Sequence, residues 1–169
     1  YSQGKMDFWQ FFTCQAIDLL KEGGLHSYIA PSSWITSAGA SILRNKVLND
    51  SKLLSFFDFN DFKVFKEASI QTMVFVLEKR KINKPYSLDY YKVIDKNISK
   101  EELRNYLITG KDGDKIEHFK AKISHQELID KTITFSSSLF NEVLDNIKNK
   151  SNYKLKDGSI GNGIDVLQD

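Results

Sequence analysis

The chain has 169 residues, of which 41% are hydrophobic and 27% are charged, and its formal net charge is +2. This composition is typical of a globular protein with one domain or one and a half small ones. No apolar run reaches the roughly 20 residues that span a bilayer, and no signal-peptide pattern is present, so we expect no membrane partner and a cytoplasmic location. The single Cys14 excludes an intrachain disulfide, and no histidine has metal-ligand spacing.

The first predicted element is a helix that begins after Asp7, a residue suited to the N-cap. Apolar residues recur at helical spacing from Phe8 to Leu20, and Cys14 is expected to pack on the same apolar face. Gly23-Gly24 is the predicted helix terminator.

Three apolar runs then predict strands, over His26–Ala30, Leu53–Phe59 and Ile70–Leu77. The segment Ser37–Asn49 between the first two runs predicts a helix. About a dozen residues separate the last two runs, which is long for a tight hairpin. A long connection that presents side chains is often functional.

A polar break near residues 79–85 precedes a less regular half of the chain. There the pattern predicts an edge strand over Ser87–Val93 and a helix over Ser99–Leu107 that opens with a capping box. It also predicts a short strand over Ile133–Phe135 and an amphipathic helix over Ser138–Lys148.

Three motifs mark the first 80 residues. They are Gly4-Lys5-Met6-Asp7-Phe8-Trp9-Gln10-Phe11-Phe12, Ile29-Ala30-Pro31-Ser32-Ser33-Trp34 and Val64-Phe65-Lys66-Glu67-Ala68-Ser69-Ile70-Gln71-Thr72. With the order of strands and helices, they resemble the second half of the catalytic domain of N6-adenine DNA methyltransferases from type II restriction–modification systems. The resemblance is to the gamma class with an Asn-Pro-Pro-Tyr loop, in restriction–methyltransferase fusions. It implies an α/β, Rossmann-like sheet, S-adenosylmethionine as cofactor and double-stranded DNA as partner.

For the target base, the resemblance implies roles for four residues. Phe65 holds the position of the family's aromatic residue that stacks on the adenine, because an amino group inside a stacked duplex cannot be reached and the base must swing out. Stacking on an aromatic face offsets part of the unstacking cost. Pro31, Ser32 and Trp34 would shape the wall of the pocket. The alternatives are that Phe65 plugs the sheet and that the Pro31 motif is only a structural turn.

For the cofactor, the resemblance implies that Phe12 lies near the adenine of S-adenosylmethionine, with Phe8 beside it. A flat apolar ring suits a nucleobase face. The alternative is that these rings only pack the helix onto the sheet. Arg44 is expected to be a solvated helix residue or part of a salt bridge.

The family's glycine-rich cofactor loop and its catalytic Asn-Pro-Pro-Tyr loop have no counterpart in this sequence, so we assign no catalytic residue and no metal site. We expect a piece of a longer protein that is inactive alone, consistent with a first residue that is Tyr rather than Met. The predicted divisions are residues 1–80 for the methyltransferase half, 81–150 for a mixed α+β extension and 151–169 for the start of a target-recognition region.

Two other functions stay open at this stage. The chain could be a non-catalytic α/β module that docks DNA or protein, or it could belong to an RNA or protein methyltransferase. No sequence signal indicates a particular oligomeric state.

Overall fold

A computed structural model describes residues 6–65, 67, 69–110 and 113–153 of the chain. In chain order the elements are α1 (Phe8–Leu19), β1 (Leu25–Pro31), α2 (Ser41–Asp50), β2 (Lys52–Asp58), β3 (Thr72–Glu78), β4 (Tyr86–Val93), α3 (Lys100–Thr109), β5 (Ile116–Ile123), α4 (His125–Leu128) and α5 (Ser138–Lys150). Two short 3₁₀ helices, Ser32–Ile35 and Ala38–Ala40, lie between β1 and α2. The chain divides into two compact units, residues 1–138 and 139–169.

The five strands of the first unit form one mixed sheet in the order β1-β3-β2-β4-β5. Strand β3 is antiparallel to both of its neighbours, which are β1 and β2. Strand β4 is parallel to β2, and β5 is antiparallel to β4. It follows that β1, β2 and β4 all end at the same edge of the sheet, where β3 begins. We call this the exit edge, and ligands of open α/β sheets gather at such edges.

The predicted α/β class and the first three predicted strands are confirmed, with ends that shift by at most two residues. The prediction that Ser87–Val93 forms an edge strand is wrong, because β4 lies between β2 and β5. Strand β5 was missed, since its run of lysine, histidine and glutamate resembles a solvated segment. The sheet therefore continues on both sides of residue 80, and the three predicted divisions of the chain stay predictions about a longer protein.

One face of the sheet is covered by α1 and α2, and this contact forms the larger core. Cys14 and Ile17 of α1 and Leu43 of α2 are fully buried there, the cysteine as predicted. The sheet contributes Ala30, Leu53, Phe56, Met73, Phe75, Leu77, Leu88 and Ile123, among others, to the same cluster. Burying a large apolar side chain of this kind contributes roughly 1.5–3 kcal/mol. This packing joins both helices to the same face of the sheet.

The opposite face of the sheet carries a smaller core beneath α3. Its buried members are Phe57, Phe59, Val93, Ile98, Leu103 and Ile116. Helix α3 begins with the predicted capping box, because the Ser99 hydroxyl accepts from the Glu102 amide at 3.1 Å and the Glu102 carboxylate accepts from the Ser99 amide at 2.7 Å. It ends at Gly110, which has the left-handed φ of 67°.

Two further sequence predictions are wrong, one about where a helix ends and one about a short strand. Helix α1 ends at Leu19, and the pair Gly23-Gly24 instead continues the β1–β3 ladder: the Gly23 amide donates to the Lys79 carbonyl at 2.8 Å. The segment Ile133–Phe135 is not a strand of the sheet. Ile133 is buried against the larger core, and its amide donates to the Ile35 carbonyl at 2.8 Å.

The described part of the second unit, residues 139–153, consists mainly of α5, whose prediction as a helix is confirmed. Leu139, Val143 and Ile147 on this helix are exposed apolar residues. Most of the predicted target-recognition segment, residues 154–169, lies outside the described residues. No helix in the described ranges is both long and apolar enough to cross a bilayer.

Candidate functional site

The candidate site lies at the exit edge, where two connections meet. One is the turn that follows β1, and the other is the connection of residues 59–71 between β2 and β3, which we call the exit loop. The two are joined at Ser32, whose amide donates to the Gln71 carbonyl at 2.9 Å and whose hydroxyl approaches the same oxygen at 3.4 Å. The bond extends the pairing of Pro31 with Thr72 by one residue, so the β1–β3 register sets the position of both connections.

The turn after β1 sends its residues in two directions. Pro31 ends the strand with a φ of −57°, which is the value its ring imposes. The next two residues, Ser32 and Ser33, line an open cleft. Trp34, only 1% exposed, turns into the larger core between Phe56 and Phe75. The turn therefore presents hydroxyls outward and is anchored by an indole from below.

A buried arginine fixes this turn from the side. Arg44 of α2 donates from Nη1 to the carbonyls of Trp34, at 2.8 Å, and Ser37, and from Nε to the carbonyl of Lys131 at 3.0 Å. Burial lowers the pKa of the Arg44 guanidinium. The expectation of a solvated or salt-bridged Arg44 was wrong. Its planar guanidinium group instead donates hydrogen bonds to three backbone carbonyls, two in the turn and one at residue 131.

The exit loop begins with a tight reversal at Asn60. This residue has the left-handed φ of 50°, which asparagine tolerates better than most side chains. Its amide donates to the Asp58 carboxylate at 2.8 Å, and its side-chain amide donates to the Val93 carbonyl at 3.2 Å. The Tyr90 hydroxyl donates to the other Asp58 oxygen at 3.2 Å, and burial followed by the Asp58 charge raises the pKa of that hydroxyl.

Between the two connections lies a cleft of about 410 Å³. It is lined by Ser32, Ser33, Asn60, Asp61, Phe62, Lys63, Ser69, Ile70 and Gln71. Two of these residues are joined directly, because the Gln71 side-chain amide donates to the Asp61 carboxylate at 2.8 Å. The volume lies in the range of small-molecule sites, and hydroxyl, amide, carboxylate and ammonium groups converge on it.

The structure brings some of the predicted target-base residues together and separates others. Ser32 lines the cleft, whereas Phe65 is not among its lining residues: it lies in the exit loop, two residues beyond Lys63, and is 50% exposed. Pro31 ends β1 next to the cleft. Trp34 belongs to the core and not to the cleft lining. No role was predicted for Asp61, Lys63 or Gln71, although Asn60-Asp61 after an apolar strand is a recognisable turn signal.

The two predicted cofactor residues lie on α1, outside the cleft lining. Phe8 is 83% exposed and Phe12 is 60% exposed, one helical turn apart. The short connection between Leu20 and Gly24 reverses the chain, so α1 runs back along β1. Neither ring packs the helix onto the sheet. That function belongs to neighbouring residues of α1, such as Trp9, which stacks on Tyr28 of β1 at 6.2 Å.

A second cavity of about 380 Å³ lies on the α3 side of the sheet. Its lining is mostly apolar, from Phe57, Val74, Val76, Tyr91 and Leu107 among others, and lacks convergent charged groups. Within the ranges that the structure describes, no group of three or more histidine, cysteine or acidic residues could hold a metal ion. The cleft at the exit edge is therefore the stronger candidate.

A comparison with protein families matches the first part of the chain. The family model described as Eco57I restriction-modification methylase matches residues 1–65. The match covers α1, β1, α2, β2 and the first half of the exit loop up to Phe65. No curated protein matches the chain significantly.

Several solved structures resemble the fold. The type IIG restriction endonuclease BpuSI matches with a TM-score of 0.54 and 17% identity over 87% of this chain and 18% of that chain. A chain of a type I restriction–modification system also scores 0.54, with 12% identity over 89% of this chain and 38% of the other. A type I methyltransferase subunit from Streptococcus thermophilus scores only 0.47, with 18% identity over 76% and 29% of the chains. At these identities the likeness concerns the fold, and this chain spans less than two fifths of each structure.

Proposed function

We propose that this chain is the second half of the catalytic domain of a DNA adenine-N6 methyltransferase from a restriction–modification protein. The observation that carries the proposal is the half-exposed Phe65, in a loop that is hydrogen-bonded to the turn after β1 at the exit edge of the sheet. The family-model match over residues 1–65 and the fold shared with BpuSI support it. The full-length protein would methylate adenine in double-stranded DNA, in the cytoplasm.

In this proposal Phe65 stacks on an adenine that has left the duplex. Its ring projects from a polar loop and so has an apolar face available, which a ring sealed in the core would lack. The hydroxyls of Ser32 and Ser33 line the adjoining cleft and can donate to or accept from the edge of a base. Pro31 holds the turn in place, and Trp34 supports it from the core rather than touching the base.

The cofactor would be S-adenosylmethionine, which supplies the electrophilic methyl group. Two exposed rings one turn apart on α1, Phe8 and Phe12, fit an aromatic platform for its adenine. The residues that orient the adenine amino group in this family are those of the Asn-Pro-Pro-Tyr loop, so they would come from the rest of the protein. Among the described residues β1 is an edge strand of the sheet, and its open side is where the other half of such a domain would pair.

The test of the proposal is a methylation assay on the full-length protein that contains these 169 residues. DNA without adenine methylation is incubated with the protein and S-adenosylmethionine, and the nucleosides are separated by mass spectrometry. We expect N6-methyldeoxyadenosine. Methyl transfer to RNA or protein instead, or no transfer together with retained DNA binding, would favour the alternatives of another methyltransferase class or a docking module.

A variant of Phe65 tests the role of the ring. Base–aromatic stacking contributes roughly 1–3 kcal/mol per base, so Phe65→Ala should lower kcat/KM by about 5- to 150-fold, whereas Phe65→Trp should retain most activity. With 2-aminopurine in place of the target adenine, Phe65→Ala should give brighter fluorescence on binding because the extruded base loses its stacking partner. Equal activity and equal fluorescence in the alanine variant would remove Phe65 from the site.

A further inference from the structure

The cleft is lined by a lysine side chain that has no role in base stacking. Lys63 is exposed and lines the cleft, and the described residues provide no ion pair or hydrogen bond for its ammonium group. It lies two residues before Phe65, so the Cα atoms of the two residues are at most about 7 Å apart. A base stacked on Phe65 would bring its own sugar and phosphate within reach of a flexible lysine side chain.

Asp61 is the one acidic residue among the described residues that line the cleft, and it forms no ion pair with this lysine. Asp61 is two residues before Lys63, close enough in sequence to compete for it, yet its carboxylate accepts the Gln71 side-chain amide at 2.8 Å. Because Gln71 lies at the far end of the exit loop, the bond also ties the two ends of the loop together. The Phe59 amide donates to the Thr72 carbonyl at 3.1 Å, and this bond also holds the two ends of the loop together.

The start of the loop is fixed independently of this bond. Asn60 is held in its left-handed conformation by hydrogen bonds to Asp58 and Val93. The Phe62 amide donates to the Phe59 carbonyl at 2.9 Å and closes the reversal. These hydrogen bonds hold residues 59–62 in a defined turn, and Lys63, the next residue, lines the cleft.

We propose that Lys63 binds a backbone phosphate of the DNA strand that carries the extruded base, and that the Asp61–Gln71 hydrogen bond positions it by keeping the carboxylate away from the lysine. This inference rests on the proposed function, since it requires DNA at the exit edge. Phosphate contacts fix register and orientation without reading sequence. Lys63 would thus hold the flipped nucleotide's backbone while Phe65 holds its base.

The test measures the salt dependence of DNA binding by the full-length protein. Each phosphate contact contributes about 0.9 to the slope of log K against log salt. Lys63→Gln should therefore reduce the slope by about 0.9, so that the loss of affinity between 50 and 200 mM salt becomes about three- to four-fold smaller. Lys63→Arg should restore the slope. The matched control is Lys84→Gln, which removes the same charge from an exposed lysine at the opposite edge of the sheet.

A double-mutant cycle tests the positioning pair. Gln71→Leu should weaken DNA binding about three-fold when Lys63 is present, because the freed Asp61 carboxylate competes with the phosphate for the lysine. In the Lys63→Gln background the same substitution should change binding by less than about 1.5-fold, since coupled residues are non-additive. Equal effects of Gln71→Leu in both backgrounds would overturn the positioning role.

Methyl transfer and the phosphate contact of Lys63 can be lost separately. If the full-length protein methylates adenine but Lys63→Gln leaves the salt slope at the wild-type value, only the phosphate contact is overturned. If Lys63→Gln lowers the slope in a protein that binds DNA and transfers no methyl group, the phosphate contact is supported and the proposed function is overturned. A slope that falls equally in Lys63→Gln and in Lys84→Gln would indicate general charge attraction and contradict a specific contact.

Discussion

Two aromatic residues of neighbouring motifs, Trp34 and Phe65, end up in opposite environments at the same edge of one sheet. Trp34 is 1% exposed, with ring centroids 5.7 Å from Phe75 and 6.4 Å from Phe56. Phe65 is 50% exposed in a loop of polar residues. A motif can therefore place one aromatic residue as an anchor for a turn and another as a surface for a ligand, and only the surroundings distinguish the two.

The difference has a physical cause in how each connection is held. The turn after β1 is followed by the 3₁₀ helix Ser32–Ile35, which turns Trp34 back toward the core, and Arg44 secures the carbonyls on either side. The exit loop is fixed at its two ends, by Asn60 and by the Asp61–Gln71 bond. The residues between those ends project from the sheet, so stability and ligand contact are separated along the chain.

The largest expected effect is on the anchor. Trp34→Ala should destabilise the chain by about 3–5 kcal/mol because it leaves a cavity between two buried rings. Trp34→Phe should cost much less, since it fills most of the space and also removes an indole N–H that is buried with no hydrogen-bond partner among the described residues. Denaturant unfolding measures both. A loss below about 1 kcal/mol for the alanine variant would contradict a core role for Trp34.

The next effect concerns the arginine that secures the turn. Arg44→Met should destabilise the chain by about 2–3 kcal/mol, because buried carbonyls lose their donors while the apolar packing of the side chain is largely retained. Arg44→Lys should recover only part of this, since one ammonium group cannot serve three carbonyls spread along a planar fork. If thermal unfolding of Arg44→Met matches the wild type, the turn does not depend on this residue.

A smaller effect depends on pH and arises at the end of α2 farther from the cleft. The hydrogen bond from Lys46 and the charges of Lys46 and Lys81 hold the pKa of Asp50 below its usual value. A depressed folded-state pKa means that the contribution of Asp50 is present above about pH 4 and is lost as pH falls through the folded-state value. For partly exposed pairs it is worth at most about 1 kcal/mol.

The measurement is unfolding of the wild type and of Asp50→Asn at pH 6 and at pH 3. The wild type should be the more stable protein at pH 6, and the difference should shrink at pH 3 because the carboxyl group is then protonated. A difference that grows on acidification would contradict the assignment.

The smallest effect on stability is expected at the residue with the largest proposed effect on function. Phe65→Ala should change the free energy of unfolding by no more than about 0.5 kcal/mol, because substitutions at exposed positions without structural partners rarely do more. The loss of activity described above should therefore occur in a protein that melts normally. A drop in stability comparable to that of Trp34→Ala would show that the ring packs internally.

The sequence by itself determined the regular elements of the first 80 residues. Helix α1 was predicted from apolar residues at helical spacing, and strands β1 to β3 were predicted from apolar runs bounded by turn or polar residues. The capping box at Ser99 was equally local, since both of its partners lie within one helical turn. The connection between β2 and β3 was predicted to be long and to present side chains, and the role of Phe65 was predicted from the resemblance of the motif that contains it.

Only the tertiary structure decided what depends on residues far apart in the chain. Strand β5 has a charged, weakly alternating sequence and becomes a strand because β4 offers it a ladder. Arg44 is buried because carbonyls from residues 34, 37 and 131 converge on its fork, and Asp61 meets Gln71 because the β2–β3 register closes the loop. Local sequence encodes propensity and periodicity, whereas hydrogen bonds between distant residues exist only after the sheet has aligned them.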